Sequence, residues 1–313
     1  MAEWLWEPGI GEARAALVAD GAIVEAAIEL DDDHLRLGHV APARLIAPGL
    51  VRLDSGEEAA LTGPPGVPEG GRLTVAITRE AIPEHGRARP PRATVTDLPP
   101  TPGPDLLARL RATGLPIRQL RSHERDDLES AGWSELLEEA VIGDIAFPGG
   151  ALRMSPTPAM TLFDVDGDAP LEPLAVRAAT AVARAIRRHG IGGSIGIDFP
   201  TLAGKAPRQA VAAALDAALA WPGAAPFERT AVNGFGFLQI VRPRPRASLP
   251  EQLRADPIGA QARATLRRLT RETGPPRPHR LPAAVHARLL ARPDWLAELA
   301  RRTGAAPLLE SMP

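Results

Sequence analysis

The chain has 313 residues, of which 44% are hydrophobic, and its 36 basic and 38 acidic residues leave a formal net charge of −2. A chain of this length can bury more than one core and is expected to form about two domains, while its near-neutral charge excludes a global field that attracts nucleic acid. The absence of cysteine excludes disulfides and thiolate zinc sites, and the lack of a signal-like or membrane-spanning apolar run predicts a cytoplasmic protein without membrane insertion.

The chain opens with a predicted β-hairpin in residues 1–35. Two apolar runs, 13–19 and 22–29, lie on either side of Asp20-Gly21. An Asp-Gly pair between two such runs is among the strongest signals for a tight hairpin turn. The segment is therefore predicted to contribute two antiparallel strands.

Residues 36–95 are predicted to form a small barrel of the OB type. Five short apolar runs alternate there with Pro-Gly, Asp-Ser-Gly and Gly-Pro-Pro-Gly turns. The segment has no aromatic residue between Leu35 and Val95, so it offers no ring on which single-stranded bases could stack. Its expected contact with nucleic acid is electrostatic, through Arg79, Arg87, Arg89 and Arg92. The alternative is that these arginines are ordinary solvated surface.

Residues 96–147 are predicted to be a linker followed by helices. Proline is dense over 96–104, which favours an extended spacer. Asp105 is placed to cap a short helix whose leucines form an apolar face. An acidic stretch over 123–141 has helical spacing around Trp133.

The most informative segment lies within residues 148–250, where two short apolar runs each end in acid. The runs 160–165 and 194–199 are separated by an Ala- and Arg-rich stretch with apolar residues every three or four positions, so a strand, helix, strand unit is predicted. Ligands gather at adjacent strand ends in open α/β sheets. Three acids at these ends are therefore candidate ligands of one hard cation such as Mg²⁺: Asp164, Asp166 and Asp198. The plainer alternative is that they only form turns or cap helices.

An alternating Arg-Pro run follows the next predicted strand. Arg242, Arg244 and Arg246 alternate with prolines in an extended segment, and guanidinium groups match phosphate oxygens bidentately. Lys205 adds a cation close to Asp198 in sequence. Beside a carboxylate-bound metal, these groups would suit cleavage of a phosphodiester, although such a run taken alone is more often a linker.

Residues 251–313 are predicted to form an Arg-rich helical tail. Leucines and Trp295 recur at helical spacing on its apolar faces. Docking on the catalytic domain, contact with RNA and dimer formation all remain open for this tail.

Three motifs in order resemble the catalytic core of the ribonuclease E/G family. The chain reads T-P-A-M-T-L-F-D-V-D-G, then G-G-S-I-G-I-D-F, then Q-I-V-R-P-R-P-R-A-S-L. The family pattern has Thr-Glu-Ala followed by Ile-Asp-Val-Asn-Ser-Gly, then Gly-Gly-x-Ile-Val-Ile-Asp-Phe, then Met-Thr-Arg-x-Arg. The resemblance covers roughly residues 10–250 and is strongest over 157–167 and 189–250.

The resemblance implies a mixed α/β (α+β) protein in which an OB-type β-barrel is followed by a DNase I-like/RNase H-like nuclease domain. It implies that residues 1–35 are a remnant of an RNase H-like subdomain and that 96–147 contain a degenerate sensor for an RNA 5′ monophosphate. It also implies Mg²⁺, or Mn²⁺, held by Asp164 and Asp198, with Asp166 orienting the site. Single-stranded RNA is then the expected partner, cut internally to leave a 5′ phosphate.

The chain departs from the family pattern at several positions. Asp166 replaces the family's Asn, Pro158 replaces the Glu of Thr-Glu-Ala, and Gln239 replaces the Glu before the arginine run. The zinc-binding Cys-Pro-x-Cys motif is missing, so any homo-oligomer is not linked by zinc. These departures leave two alternatives to an endoribonuclease: an RNA-binding protein with a decayed nuclease site, and an interaction protein with no role in RNA.

Overall fold

The computed structural model describes residues 2–32, 35–84, 88–168, 170–272 and 277–312. It is a mixed α/β structure with a four-stranded sheet, a closed five-stranded barrel, a six-stranded sheet and a two-stranded sheet. The mixed α/β class and the presence of a barrel, both predicted from the sequence, are confirmed. Within the residues described, no helix is both long and apolar enough to cross a lipid bilayer.

The N-terminal segment forms three antiparallel strands: β1 (Glu3–Pro8), β2 (Glu12–Ala19) and β3 (Ala22–Leu30). The predicted hairpin is the β2–β3 pair, and Asp20 and Gly21 take the positive φ angles, 51° and 79°, that such a turn requires. Strand β1 was not predicted. Its successive residues Trp4 and Leu5 enter different hydrophobic clusters on opposite faces of the sheet.

Five strands close the barrel: β4 (Val40–Ala47), β5 (Leu50–Leu53), β6 (Glu58–Thr62), β7 (Arg72–Arg79) and β8 (Arg92–Val95). Around the barrel the order is β4-β5-β6-β8-β7, and β6 and β8 are parallel whereas the other neighbours are antiparallel. Branched side chains such as Val51 and Ile77, together with Ala43, Ala59 and Ala93, fill the interior. The five runs predicted over 36–95 therefore form strands that pair with one another.

The chain then returns to the N-terminal sheet through α1 (Leu106–Ala112), β9 (Ile117–Gln119), α2 (Asp127–Ser130) and α3 (Trp133–Ile142). Asp105 caps α1 as predicted, because its Oδ1 accepts a hydrogen bond from the Ala108 N–H at 2.7 Å. Strand β9 pairs in parallel with β1, which gives the sheet order β3-β2-β1-β9.

Residues 106–142 complete the N-terminal unit by packing on both faces of its sheet. Leu106 and Leu110 of α1 pack with Trp4 on one face of the sheet, whereas Trp133 and Leu136 of α3 pack on the other. The barrel is thus inserted between β3 and α1. Strand β9 is only three residues long, so it carries too little periodic pattern to be recognised in the sequence.

The six-stranded sheet carries the acidic motifs. Its elements are β10 (Asp144–Phe147), β11 (Gly150–Pro156), β12 (Thr161–Asp166), α4 (Leu171–Arg188), β13 (Gly193–Asp198), α5 (Lys205–Leu219), β14 (Glu228–Arg229) and β15 (Phe237–Arg242). The strand order is β10-β11-β12-β13-β15-β14. Helix α4 joins the parallel strands β12 and β13, which confirms the predicted strand, helix, strand unit.

Helices α4 and α5 bury one face of this sheet. Phe163, Ile195 and Ile197 point to that face and belong to the largest hydrophobic cluster, together with Val182 of α4 and Leu215 of α5. Because successive strand residues point to opposite faces, the remaining positions of β12 and β13 lie on the other face. The predicted carboxylates occupy those positions.

The last segment contains α6 (Leu249–Ala255), α7 (Pro257–Arg271), β16 (Pro278–Leu281), α8 (Ala283–Leu290), α9 (Pro293–Thr303) and β17 (Leu308–Ser311). Leu266, Leu289 and Trp295 form a cluster with Ile10, which lies in the turn between β1 and β2. Gly11 is required there, because a Cβ would lie 2.4 Å from the Trp295 ring. The helical tail therefore docks on the N-terminal sheet.

Candidate active site and basic surfaces

Asp164 and Asp198 are direct partners in the parallel ladder of β12 and β13. Partners on neighbouring strands point to the same face, and their backbones are about 4.8 Å apart. Both residues are exposed on the face opposite the helices, and neither forms an ion pair with any residue that the structure describes. The sequence-based expectation that these two acids meet at adjacent strand ends agrees with this register.

Asp166 lies on the same face but has a cationic partner. Its Oδ2 is 3.3 Å from Nε of Arg153, and the two side chains remain 56% and 67% exposed. Arg153 is also the ladder partner of Asp164 across β11 and β12. Sequence reasoning missed Arg153, although the alternation of Leu152, Arg153 and Met154 predicts a strand with one polar residue facing away from the core.

Of the three predicted acids, Asp164 and Asp198 are ladder partners, whereas Asp166 lies two residues beyond Asp164 and is ion-paired with Arg153. Among the described residues, no group of three or more His, Cys, Asp or Glu side chains is arranged to hold a metal ion. A pair is nevertheless sufficient for Mg²⁺, which is commonly bound through one or two carboxylates together with substrate phosphates and water. The exposed, unpaired carboxylates of Asp164 and Asp198 fit such an ion, while Asp166 is engaged with Arg153.

Loops from two strands meet beside Asp198. The Phe199 N–H donates to the carbonyl of Gly236 at 3.2 Å, which joins the loop after β13 to the loop before β15. Lys205 is exposed at the start of α5, a few residues beyond Asp198. Lys205 therefore begins the helix that follows the loop after Asp198.

The arginine run lies elsewhere. Strand β15 is antiparallel to β13, so Arg242 pairs with Gly193 at the start of β13 whereas Asp198 pairs with Phe237 at its end. Five residues of strand separate the two positions, or roughly 17 Å. Arg242 also points to the helix-covered face, since it alternates in phase with the buried Leu238 and Ile240. The expectation that this run lies beside the carboxylates is corrected by the strand direction and phase.

Arg242 lines a cavity of about 380 Å³ between the N-terminal sheet, α1, the end of α4 and the arginine run. Its guanidinium lies 5.5 Å from the centre of the Trp221 ring, and Arg187 approaches the same ring at 5.2 Å. Burial lowers the pKa of Arg242 from its ordinary value, opposed by the attraction of Glu25. Arg242 is therefore held within the fold and is not presented to the acidic face.

Arg244 and Arg246 are engaged by acids. Arg246 Nε lies 2.9 Å from Glu80 of the barrel segment, and Arg244 pairs with Glu251 and, at 3.7 Å, with Glu84. The Glu80 N–H also donates to the carbonyl of Pro245 at 2.9 Å. The arginine run thus fastens the barrel to the rest of the chain.

Predicted basic residues from two distant segments converge at this junction. The pKa of Arg79 is lowered, first by burial and then by repulsion from Arg92, Arg89 and Arg244, with Glu84 acting in the opposite direction. We call these four arginines the junction patch. Arg89 forms an ion pair with Glu84 at 2.8 Å, and the Arg79 guanidinium donates to the Pro90 carbonyl at 2.7 Å.

One predicted RNA-binding residue, Arg87, lies outside the described residues. The others fall into three places: Lys205 starts α5, Arg242 and Arg246 line the cavity described above, and Arg79, Arg89 and Arg244 belong to the junction patch. These residues were predicted to act together because all of them are cations, whereas the direction of the strands separates them in space.

Comparison with known proteins assigns the chain to no family. A scan against models of protein families finds none that matches the chain, and a search of curated proteins finds none with significant similarity. The resemblance to the ribonuclease E/G family therefore rests on the quoted sequence motifs alone.

Proposed function

We propose that this protein is a metal-dependent endoribonuclease that hydrolyses phosphodiester bonds in single-stranded RNA. The observation that carries the proposal is the pair of exposed carboxylates, Asp164 and Asp198, opposite one another on adjacent strands. Two unpaired anions on neighbouring strands repel each other, and a divalent cation between them would remove that repulsion. The proposed reaction and the proposed substrate rest on the resemblance of the flanking motifs to a ribonuclease core.

In this proposal Asp164 and Asp198 hold Mg²⁺ or Mn²⁺ at the open face of the sheet. The bound ion would activate water and offset the charge that develops on the scissile phosphate. Arg153 holds Asp166 by an ion pair and has further N–H donors for a phosphate oxygen. Lys205, the first residue of α5, is a second cation that follows Asp198 in the chain. These residues take the phosphate-binding role that the sequence suggested for Arg242.

The barrel and the junction patch are proposed to bind RNA at a distance from the cleavage site. The strand order of the barrel, first-second-third-fifth-fourth, with a parallel third and fifth pair, supports an OB-type barrel. The junction patch places three barrel arginines next to Arg244. Such a surface contacts the sugar-phosphate backbone without reading sequence.

A second candidate function is RNA binding without cleavage. The observation that favours it is the separation of the junction patch from the carboxylates, because each surface can act without the other. It also fits the presence of Asp166 where the related nucleases have Asn.

A nuclease assay on a labelled single-stranded RNA, with Mg²⁺, Mn²⁺ or EDTA, separates the two candidates. We expect cleavage that EDTA abolishes and that Asp198→Asn or Asp164→Asn reduces by roughly a thousandfold, since metal activation supplies several kcal/mol. Asp97→Asn removes the same charge from an exposed position after the barrel and should leave cleavage unchanged. Binding without EDTA-sensitive cleavage would favour the second candidate, and cleavage that persists in both variants would overturn the proposed site.

A further inference from the structure

Phe235 is the most exposed large hydrophobic side chain among those that the structure describes. It is 84% exposed, compared with 62% for Leu98 and 58% for Ile142. An isolated exposed apolar residue on a flexible loop would need no explanation. Phe235 differs because hydrogen bonds fix its backbone and because it lies next to the candidate active site.

A network of local hydrogen bonds fixes the turn that carries Phe235. The Asn233 Oδ1 atom accepts hydrogen bonds from the N–H groups of Phe235, at 2.9 Å, and Phe237, at 3.0 Å. The Gly236 N–H donates to the Asn233 carbonyl at 3.2 Å, and the Asn233 N–H donates to the Phe237 carbonyl at 3.0 Å. Gly236 has φ +95°, and a Cβ there would lie 2.1 Å from the Phe199 carbonyl oxygen. These hydrogen bonds therefore fix the backbone of Phe235 while its side chain remains exposed.

The same turn borders the candidate active site. Phe235 lies two residues before Phe237, which is the ladder partner of Asp198. Its carbonyl accepts a hydrogen bond from the Thr201 hydroxyl at 3.4 Å, which ties it to the loop that leads from Asp198 to Lys205. The carboxylate pair and the exposed ring thus lie toward the same end of β13, and Lys205 follows in the chain at the start of α5.

We propose that Phe235 stacks on an unpaired base next to the phosphate bound at Asp164 and Asp198. An aromatic face accepts any base, whereas the charged neighbours would contact phosphate, and this combination is typical of single-strand binding. A base in a duplex has both faces covered by its neighbours, so Phe235 would select single-stranded substrate. This inference rests on the proposed function, and it places the stacking ring beside the acids and not on the barrel.

Binding and cleavage by Phe235→Ala and Phe235→Trp test the inference. In EDTA, fluorescence anisotropy with a short single-stranded RNA should show roughly tenfold weaker binding for Phe235→Ala, because base stacking contributes about that factor or more. Phe235→Trp should retain affinity, and binding to a duplex of the same sequence should not change. Leu98→Ala removes another exposed apolar side chain outside this edge and should bind RNA like the parent.

An abasic substrate provides the second measurement. A series of RNAs is prepared, each with one abasic nucleotide at a different position. At one of these positions the difference in RNA affinity between the parent and Phe235→Ala should disappear. In Mg²⁺ the Phe235→Ala effect should appear mainly in KM. Cleavage with unchanged affinity and KM in Phe235→Ala would overturn the stacking role and leave the nuclease in place. RNA binding that depends on Phe235 without any cleavage would overturn the nuclease and keep the stacking role. Binding of a protein through Phe235 without RNA binding would overturn both the nuclease and the stacking role.

Discussion

His189 ends helix α4 and is completely buried. Its Nε2 atom lies 3.3 Å from Glu139 Oε2, and the neighbouring Arg188 approaches the same oxygen at 2.7 Å. The pKa of His189 is lowered from 6.5, chiefly by burial, which outweighs the attraction of the Glu139 carboxylate, while repulsion from Arg188 lowers it further. The folded protein therefore favours a neutral imidazole at this position.

This lowered pKa predicts a loss of stability in mild acid. Below pH 6.5 the unfolded chain protonates His189 while the folded chain resists, so the unfolded state binds more protons and the free energy of unfolding falls as pH decreases. The stabilising contribution of neutral His189 is fully present above pH 6.5 and is lost as pH falls toward the lower pKa of the folded state. The free energy of unfolding then decreases by at most about 1.4 kcal/mol per pH unit. Urea unfolding between pH 5 and 8 measures it.

The matched variants are His189→Gln and His123→Gln, of which only the first removes a buried imidazole. We expect His189→Gln to reduce the dependence of the urea midpoint on pH, and His123→Gln to keep the parent slope. An unchanged slope in His189→Gln would show that other groups govern acid stability.

Helix α7 is attached to the N-terminal sheet by buried charges as well as apolar packing. Glu12 of β2 is 3% exposed in its side chain and accepts from Arg263 at 3.1 Å and also from Arg267. Arg271 reaches Glu7 at 2.5 Å and Asp126 at 3.1 Å. A buried ion pair contributes little net stability when complete, but removal of one partner leaves a charge without compensation.

Glu12→Gln should therefore destabilise the protein by about 3 kcal/mol, because Arg267 would remain buried without an anion and Arg263 would keep only Asp256, at 3.9 Å. The comparison is Glu298→Gln in α9, which disrupts local pairs with Arg301 and Arg302 at a more exposed site and should change stability by less than about 1 kcal/mol. Thermal unfolding and hydrogen exchange in α7 would report both. Equal effects of the two variants would contradict the attachment described.

The acidic face and the junction patch lie toward opposite ends of β13, so a bound RNA would have to extend between them. The acidic end carries Arg153 and Lys205, whereas the junction patch combines four arginines, Arg79, Arg89, Arg92 and Arg244, around Glu84. Long-range electrostatic attraction in a chain of net charge −2 must come from such a local cluster.

The salt dependence of RNA affinity tests this division. Replacement of Arg79 and Arg89 by Gln should lower the slope of log affinity against log salt by about 1.4, since each lost single-strand phosphate contact contributes about 0.7. Replacement of Arg44 and Arg52, two other exposed barrel arginines, should have no such effect. If Arg242→Gln with Arg246→Gln lowers the slope while the junction variant does not, RNA follows the arginine run instead.

The sequence carried enough information to predict the local elements around the acids. Acidic residues at the ends of two apolar runs, with a helical repeat between them, predicted the β12, α4 and β13 unit and the neighbouring positions of Asp164 and Asp198. The Asp20-Gly21 turn and the five short runs of the barrel were equally local signals. Each was predictable because its pattern and its cause lie within a few residues.

Long-range pairing decided the rest. Arg242 is far from Asp198 because β15 runs antiparallel to β13. Strand β9 joins β1 across more than a hundred residues. Strand direction and partner choice depend on which apolar faces are buried together, and residue spacing does not encode that. The identity of the site residues thus came from local sequence, whereas their grouping into an acidic face, a buried arginine run and a junction patch came from packing.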